Sequence, residues 1–323
     1  MTLKRVVIVA NACVFIFVGP LHGQSNAAIR GRVLNGTIGG RPVSGAEVRL
    51  LRMSQGSAQT FGPVRTDSRG AFVFPSIRGD GVYVAATNYG GVVYTSSPVR
   101  VQPGEPTIAD ITVYEPATQR PAIFFPFRIV LVERIGVGII SLREIVGVAN
   151  PSLRTYVGQN DTSSRSFSLT LPNGAERVAA IRGMISPLVE KRSVAEMAPL
   201  PPGVHEITVA YQLRYWGSSA KLWWTLDEDT GSMDVFLPDQ GVALKSNTLE
   251  PKPARAIRGQ RFLRAASDTL GKGERVEVVL TGLPANYAPL ARWSAAVLAV
   301  ILLAKLLLAL RIPPRRQPSA DGT

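Results

Sequence analysis

The sequence predicts an all-β protein in which two β-sandwich domains in tandem are followed by one C-terminal transmembrane helix. Three observations support this prediction. The 323 residues include 30 glycines and 24 prolines, which suits turn-rich β structure. Short alternating runs of apolar and polar residues recur between residues 28 and 288. A long apolar run at residues 293–310 lies near the C-terminus.

Residues 1–27 are predicted to be a signal peptide. Lys4 and Arg5 precede an apolar run over residues 6–18, and small residues at 25–27 fit a cleavage site. Cleavage after Gly23 fits as well. An uncleaved N-terminal anchor is the alternative interpretation, although the run is short for a membrane span.

The run at residues 293–310 is predicted to cross the membrane once. It has 18 residues with one charge, Lys305, whereas a spanning helix needs roughly 17–25. Three arginines follow it within residues 311–316, and only Arg292 directly precedes it. The positive-inside rule therefore makes residues 311–323 a cytoplasmic tail and places the β domains outside the cytoplasm, in the periplasm or at the cell surface. A buried core helix is the alternative.

Few residues are available for catalysis or metal binding. Of two histidines and one cysteine, Cys13 and His22 lie in the predicted signal peptide, so the mature chain keeps only His205. This argues against disulfides, cysteine-based zinc sites and thiol catalysis, and we expect no cofactor. The net charge is +13, but the basic residues are scattered and form no stripe with aromatics, so we expect no nucleic-acid partner.

Residues 28–115 are predicted to form the first β-sandwich. Ile29 to Val33 alternates, and residues 46–52 form a further alternating run. Thr66 to Gly70 is a hairpin turn, in which the aspartate and serine bond to nearby backbone and the glycine takes positive φ.

The motifs IRGRV, GGRPVSGAEVRL, TDSRGAFVF and GVYV in this segment carry a resemblance. The segment resembles the carboxypeptidase regulatory-like domain of the transthyretin-like superfamily. The resemblance implies a seven-stranded β-sandwich that is not catalytic and that accompanies peptidases, receptors and surface proteins. Its fold is grouped with carbohydrate-binding-like domains. Gly45 and Gly70 match turn positions of the motif and need no functional role.

Residues 116–127 are predicted to be a proline-spaced linker, and residues 128–288 a second β-sandwich of no named family. His205 to Tyr215 alternates over eleven positions and places one apolar set on a single face. We expect little helix, with one candidate at Ala254 to Ala266.

No catalytic residue and no metal ligand is predicted. His205 opens a strand on its apolar face, so a half-buried structural role is favoured over that of a general base. Ser218 to Lys221 matches S-x-x-K, but it falls in a predicted hairpin turn and no K-T-G follows. Asp227 to Asp229 is interpreted as a solvated turn, with calcium binding as the alternative.

The candidate ligand-binding residues are aromatic: Tyr215, Trp216, Trp223 and Trp224 flank one predicted turn. Because adjacent strand residues point to opposite faces, one of the two neighbouring tryptophans is expected to face outward. An exposed ring can stack on a sugar or anchor a partner. Burial of the cluster within the sandwich is the alternative.

These observations favour a non-enzymatic, membrane-anchored extracytoplasmic protein that acts as a binding or assembly module of the cell envelope. Its expected partners are the membrane and another envelope protein. The alternative is a carbohydrate-binding surface protein that uses the aromatic cluster on a glycan. A hydrolase dependent on His205 ranks third.

Overall fold

In a computed structural model of the chain, the described residues are 27–54, 57–77, 81–101, 107–159 and 164–310. They divide into two compact units, Met1–Val113 and Tyr114–Thr323. The predicted signal peptide, apart from its last residue, and the predicted tail at 311–323 lie outside the described residues. Strands dominate both units, which confirms the all-β class.

The first unit contains two five-stranded sheets. Its described elements are β1 (Ala27–Asn35), a 3₁₀ helix (Gly36–Ile38), β2 (Arg41–Pro42), β3 (Glu47–Ser54), β4 (Ser57–Arg65), β5 (Ala71–Ile77), β6 (Val82–Tyr89), β7 (Val92–Thr95), β8 (Val99–Arg100), β9 (Thr107–Ile108) and β10 (Ile111–Val113). In one sheet β1 pairs with β2, β5, β9 and β10. The other has the order β4-β3-β6-β7, with β8 on β6. The described part of this unit thus has ten strands, of which β2, β8 and β9 are only two residues long, where the resemblance implied seven.

The predicted turn at residues 66–70 joins β4 to β5. Asp67 Oδ1 accepts hydrogen bonds from the backbone N–H groups of Arg69 and Ala71, both at 2.8 Å. These bonds hold the pKa of Asp67 below its ordinary value, the Ala71 bond contributing most. Gly70 has φ 71°, and a Cβ there would lie 2.6 Å from the carbonyl oxygen of Val33. The predicted roles of Asp67 and Gly70 in this turn are confirmed.

The second unit is built from β11 (Pro116–Ala117), β12 (Arg128–Gly136), β13 (Ile139–Asn150), β14 (Thr155–Tyr156), β15 (Phe167–Thr170), β16 (Ala175–Arg182), β17 (Pro187–Val189), β18 (Ser193–Glu196), β19 (Gly203–Arg214), β20 (Gly217–Thr225), β21 (Thr230–Pro238), β22 (Ala243–Ser246), β23 (Glu250–Ile257), β24 (Gln260–Leu270), β25 (Arg275–Asn286) and α1 (Ala288–Leu310). A seven-stranded sheet has the order β16-β19-β13-β12-β21-β24-β23. Two three-stranded sheets, β15-β18-β17 and β20-β25-β22, share its core, and β11 pairs with β14.

Strand alternation produces this core. Ile207, Val209, Tyr211 and Leu213 on β19 are buried, as predicted, and they pack in one cluster with residues of β12, β13, β20 and β25. His205 at the start of the strand is half-buried on the same face. The second unit therefore has the layered β structure expected of a sandwich.

Several local predictions need correction. Residues 254–266 form β23 and β24 instead of a helix, because they pair as a hairpin on the edge of the large sheet. Ser218 to Lys221 lies within β20 and not in a turn. The segment at 116–127 belongs to the second unit, since Ile123 and Phe125 enter its core and β11 pairs with β14.

The chain ends its described part in α1, a helix of 23 residues. Among the residues that the structure describes, no helix is both long enough and apolar enough to cross a membrane. The membrane span at 293–310 is thus not confirmed and stays a prediction.

Candidate functional site

An open groove lies on the outer face of the β4-β3-β6-β7 sheet of the first unit. Alternation along β3 sends Leu50 into the core and turns Arg49 and Leu51 outward. Together with Ala86 on β6 and Val93 on β7 they line a groove of about 620 Å³. Val93 is 66% exposed, so the groove floor offers apolar surface to solvent.

The two arginines at the groove differ in whether they form an ion pair within the described residues. At its rim, Arg65 Nη2 donates to Glu47 Oε1 at 2.7 Å. Arg49 is exposed and forms no ion pair with any residue that the structure describes. The groove therefore combines an apolar floor with one cation that has no acidic partner in the described first unit. No sequence motif marks it, because its lining residues become neighbours only through sheet pairing.

The second unit contains a buried polar network centred on Glu144. Glu144 Oε2 accepts from Arg128 Nε at 2.8 Å and Nη2 at 2.7 Å, and Oε1 accepts from Trp224 Nε1 at 2.7 Å and from the Tyr211 hydroxyl. Glu144, Arg128 and Trp224 are fully buried. Burial, and next the Glu144 charge, raises the pKa of Tyr211 well above its ordinary value.

This network joins the sheets of the second unit. Glu144 and Arg128 lie on the large sheet, Trp224 lies on β20, and Arg128 Nη2 also donates to the carbonyl oxygen of Thr170 on β15 at 2.9 Å. The sequence does carry a signal for this network, because Arg128 and Glu144 each lie in an apolar run. A charge buried in such a run needs a partner of opposite charge. The network was not predicted. Its groups are sealed from solvent, so we assign it a structural role.

The predicted aromatic cluster is divided between core and surface. Trp224 is fully buried, and Tyr215 is 7% exposed, its hydroxyl lying 2.7 Å from the carbonyl oxygens of both Gly136 and Pro284. These two residues therefore offer no surface to a ligand. Trp216 is 59% exposed in the turn before β20.

Trp223 is half-buried, on the face of β20 opposite Trp224, as predicted for adjacent strand residues. The Arg275 guanidinium carbon lies 4.8 Å from the centre of its ring. Trp216 bridges to Ser219 across a turn at Gly217, and the four residue steps of strand from Ser219 to Trp223 span roughly 13 Å. Of the two accessible rings, Trp216 lies in the turn and Trp223 lies within β20.

The other sequence candidates have structural contacts. His205 Nε2 lies 2.9 Å from the carbonyl oxygen of Pro201. Lys221 of the S-x-x-K tetrad pairs with Glu277 at 2.6 Å. Asp227 accepts from the backbone and hydroxyl of Thr170.

Neighbouring Glu228 pairs with Arg120 and with Lys272. Asp229 accepts from the backbone N–H of Lys272 at 2.8 Å. Over the described ranges, no group of three or more histidine, cysteine, aspartate or glutamate residues is arranged to hold a metal. The three consecutive acids therefore act as caps and ion-pair partners of neighbouring loops.

Comparison with solved structures gives distant similarities. An M1 zinc metallopeptidase from Deinococcus radiodurans is 12% identical with a TM-score of 0.31, over 49% of this chain and 42% of that one. The chain thus spans about 42% of the length of that peptidase. The major pilin subunit BcpA of Bacillus cereus is 12% identical with a TM-score of 0.21, over 80% of this chain and 85% of that one. The major pilin SpaA of Corynebacterium diphtheriae is 13% identical with a TM-score of 0.20, over 79% and 84%. At such TM-scores the similarity carries no argument about function.

No curated protein matches the chain. The family model of the carboxypeptidase regulatory-like domain matches residues 28–114. This range coincides with the first β unit and with the motifs quoted above. The first unit of the chain is a carboxypeptidase regulatory-like domain.

Proposed function

We propose that the protein is a non-enzymatic, membrane-anchored module of the cell envelope that binds or assembles with another envelope protein. The observation that carries this proposal is the groove on the first unit. Its volume of about 620 Å³ and its exposed apolar floor suit the docking of a protein segment. The regulatory-like family of the first unit supports a non-catalytic role.

The groove defines the chemistry of its partner. Leu51, Ala86 and Val93 favour an apolar side chain, and the unpaired Arg49 favours an acidic group beside it. The partner is therefore a protein that presents apolar residues flanked by an aspartate or glutamate. Such an anchor residue in a groove is the usual source of binding energy at small interfaces.

Matched substitutions on the two outer faces of the first unit test this assignment. Val93→Arg places a charge in the groove, whereas Val73→Arg places the same charge on β5, where Val73 is 45% exposed. The tagged full chain is crosslinked in intact cells, purified and analysed by mass spectrometry. We expect a reproducible envelope partner that Val93→Arg loses and Val73→Arg retains. Equal recovery with both variants would overturn the groove as the binding site.

Anchoring by residues 293–310 is part of the proposal. The sequence run has one charge in 18 residues, and α1, with 23 residues, is about 34 Å long against a hydrocarbon core of about 30 Å. The full chain should resist extraction from membranes at alkaline pH. A chain truncated before Trp293 should be extracted. Extraction of both would overturn the anchor.

Binding of a glycan by Trp216 is the second candidate, since that ring is 59% exposed. Retention of the full chain on cell-wall polysaccharide, lost in Trp216→Ala and kept in Trp223→Ala, would favour it. A hydrolase would require turnover that His205→Ala abolishes. We expect no such turnover, and detection of it would overturn the non-enzymatic assignment.

A further inference from the structure

We propose that the end of the second unit from which α1 departs is a membrane-binding surface that docks on anionic phospholipid headgroups. The inference rests on the anchoring proposed above and adds a second contact with the same bilayer. Three exposed apolar or aromatic side chains and four exposed arginines, all gathered at one end of the unit, carry it.

The β12–β13 turn and the end of β19 lie together at this end. Gly136 pairs with Ile139 across the turn, and Ile139 pairs in turn with Arg214, the last residue of β19. Val137 in the turn is 68% exposed, and Trp216, just beyond β19, is 59% exposed. An apolar and an aromatic side chain therefore project from neighbouring strand ends.

Strand β25 brings the chain to the same end before α1 begins. Asn286 pairs with Gly217 at the start of β20, and its Nδ2 donates to the carbonyl oxygen of Tyr215 at 3.0 Å. Tyr287 follows and is 59% exposed, and α1 starts at the next residue. Tryptophan and tyrosine are the residues enriched where a protein meets the membrane interface.

The β23–β24 turn also lies at this end of the second unit. Both β12 and β24 pair with β21, with Leu131 opposite Phe236 and Phe262 opposite Pro238. When these registers are continued to the strand ends, the β23–β24 turn lies beside the β12–β13 turn. Arg258 is in the β23–β24 turn. The end surface thus spans the large sheet from β16, where Glu176 pairs with Gln212 near the end of β19, to β23.

Four exposed arginines at this end have no ion pair with any residue in the described ranges: Arg134, Arg177, Arg255 and Arg258. The acidic side chains nearby are already engaged. Glu176 pairs with Arg214 at 2.8 Å, and Asp239 pairs with Arg261 at 3.1 Å. The consecutive acids at 227–229 lie at the opposite end, beside the last residue of β20. The surface therefore presents uncompensated positive charge.

Two of these arginines occupy unfavourable backbone conformations. Among the described residues, Arg177 with φ 52° and Arg258 with φ 50° alone combine positive φ with a side chain. Arg258 opens a two-residue hairpin turn, where asparagine or glycine is the usual choice, and Arg177 sits at a bulge in β16. Backbone strain of this kind concentrates at functional sites. Both strained residues carry a cation on the proposed surface.

Anionic headgroups fit this combination better than a protein partner does. A bilayer accommodates three features of this surface at once: the interfacial aromatics, the arginines that have no ion pair within the described ranges, and the apolar helix that begins beside them. Each arginine close to an anionic surface contributes about fivefold to the docked population.

Spin labels in the full chain test the inference. In a Cys13→Ser background, which removes the single cysteine, the label is placed by Val137→Cys on the surface or by Val204→Cys as control. Val204 is 59% exposed and pairs with Ala149 at the far end of β13. In nanodiscs that contain anionic lipid, we expect the label at 137 to be shielded from a water-soluble relaxant and the label at 204 to be accessible.

Arg177→Gly and Arg258→Gly are suited to this test because glycine relieves positive φ, so neither variant should lower stability. Each should reduce the docked-to-undocked ratio about fivefold in anionic nanodiscs and leave zwitterionic nanodiscs unaffected. Unchanged shielding in both variants would overturn the role of anionic headgroups.

The remaining outcomes separate this inference from the anchor. A chain that inserts into nanodiscs while both labels stay accessible overturns the docking surface and leaves the anchor intact. A chain that does not associate with nanodiscs overturns both. If the label at 137 stays shielded in detergent and a protein co-purifies with the chain, the surface binds that protein. This result would overturn the proposed docking on lipid headgroups.

Discussion

Replacing Glu144 by glutamine removes the negative charge from the buried network of the second unit. The amide oxygen of Glu144→Gln can still accept from Trp224 and Tyr211. Its NH₂ group, however, faces two guanidinium donors of Arg128 that the carboxylate now accepts at 2.7 and 2.8 Å. The variant thus leaves a fully buried cation without a counter-charge.

The expected loss is large for a single substitution. Removing one partner of a buried ion pair costs about 3–5 kcal/mol, because the other charge stays desolvated. A domain has about 5–15 kcal/mol of total stability. Glu144→Gln should therefore remove about a fifth or more of the stability of the second unit.

Urea unfolding followed by tryptophan fluorescence measures this loss in the right unit. All four tryptophans lie at position 216 or later, so the signal reports on the second unit alone. Glu176→Gln is the matched control, since it makes the same change in an exposed pair with Arg214, whose side chain is 68% exposed. That control should cost less than about 1 kcal/mol.

Two results would show that the buried ion pair does not stabilise the second unit in this way. The first is a loss in Glu144→Gln no greater than that of the surface control. The second concerns the double variant Arg128→Met with Glu144→Gln, which removes the unpaired cation and should recover part of the loss. A double variant less stable than the single one would mean that the buried charge is not the cause.

Three further predictions concern pH and backbone conformation. Burial raises the pKa of Tyr211, so the second unit should lose stability as pH rises above 10.0, and Tyr211→Phe should flatten this loss in urea titrations. The lowered pKa of Asp67 means that its contribution to the stability of the first unit is present above pH 3.8 and is lost as pH falls through the folded-state pKa. Hydrogen exchange at residues 66–77 should therefore speed up as the pH is lowered, and Asp67→Asn should reduce this acceleration. Gly70→Ala should destabilise the first unit by more than about 2 kcal/mol, since it adds a 2.6 Å clash to the strain of positive φ. Gly45→Ala, with φ 72° and open space, should cost only about 1 kcal/mol in pulse proteolysis.

Local chemistry was predictable from the sequence. The turn at Asp67 to Gly70 and the buried face of β19 depend on side-chain bonding to nearby backbone and on strand alternation, both of which act over a few residues. The opposite facing of Trp223 and Trp224 follows from the same rule. Which of the two is buried depends on the face of β20 that packs against the large sheet, and the sequence does not specify this face.

Features that depend on distant pairing were missed. Residues 254–266 have alanines and arginines that suit a helix, but the edge of the large sheet accepts them as a hairpin with a turn at Arg258. The groove on the first unit and the arginines at the end of the second unit are assembled from strands far apart in sequence. Periodicity alone cannot bring such residues together.

Site-specific photocrosslinking in intact cells tests directly whether the groove of the first unit binds an envelope protein. A photoreactive amino acid replaces Val93 in the groove or Val73 on the opposite face of the first unit. We expect one envelope protein to be crosslinked from position 93 and not from position 73, and this crosslink to be lost when Arg49→Glu reverses the groove charge. Identical products from both positions, or none from position 93 above the unmodified chain, would contradict it.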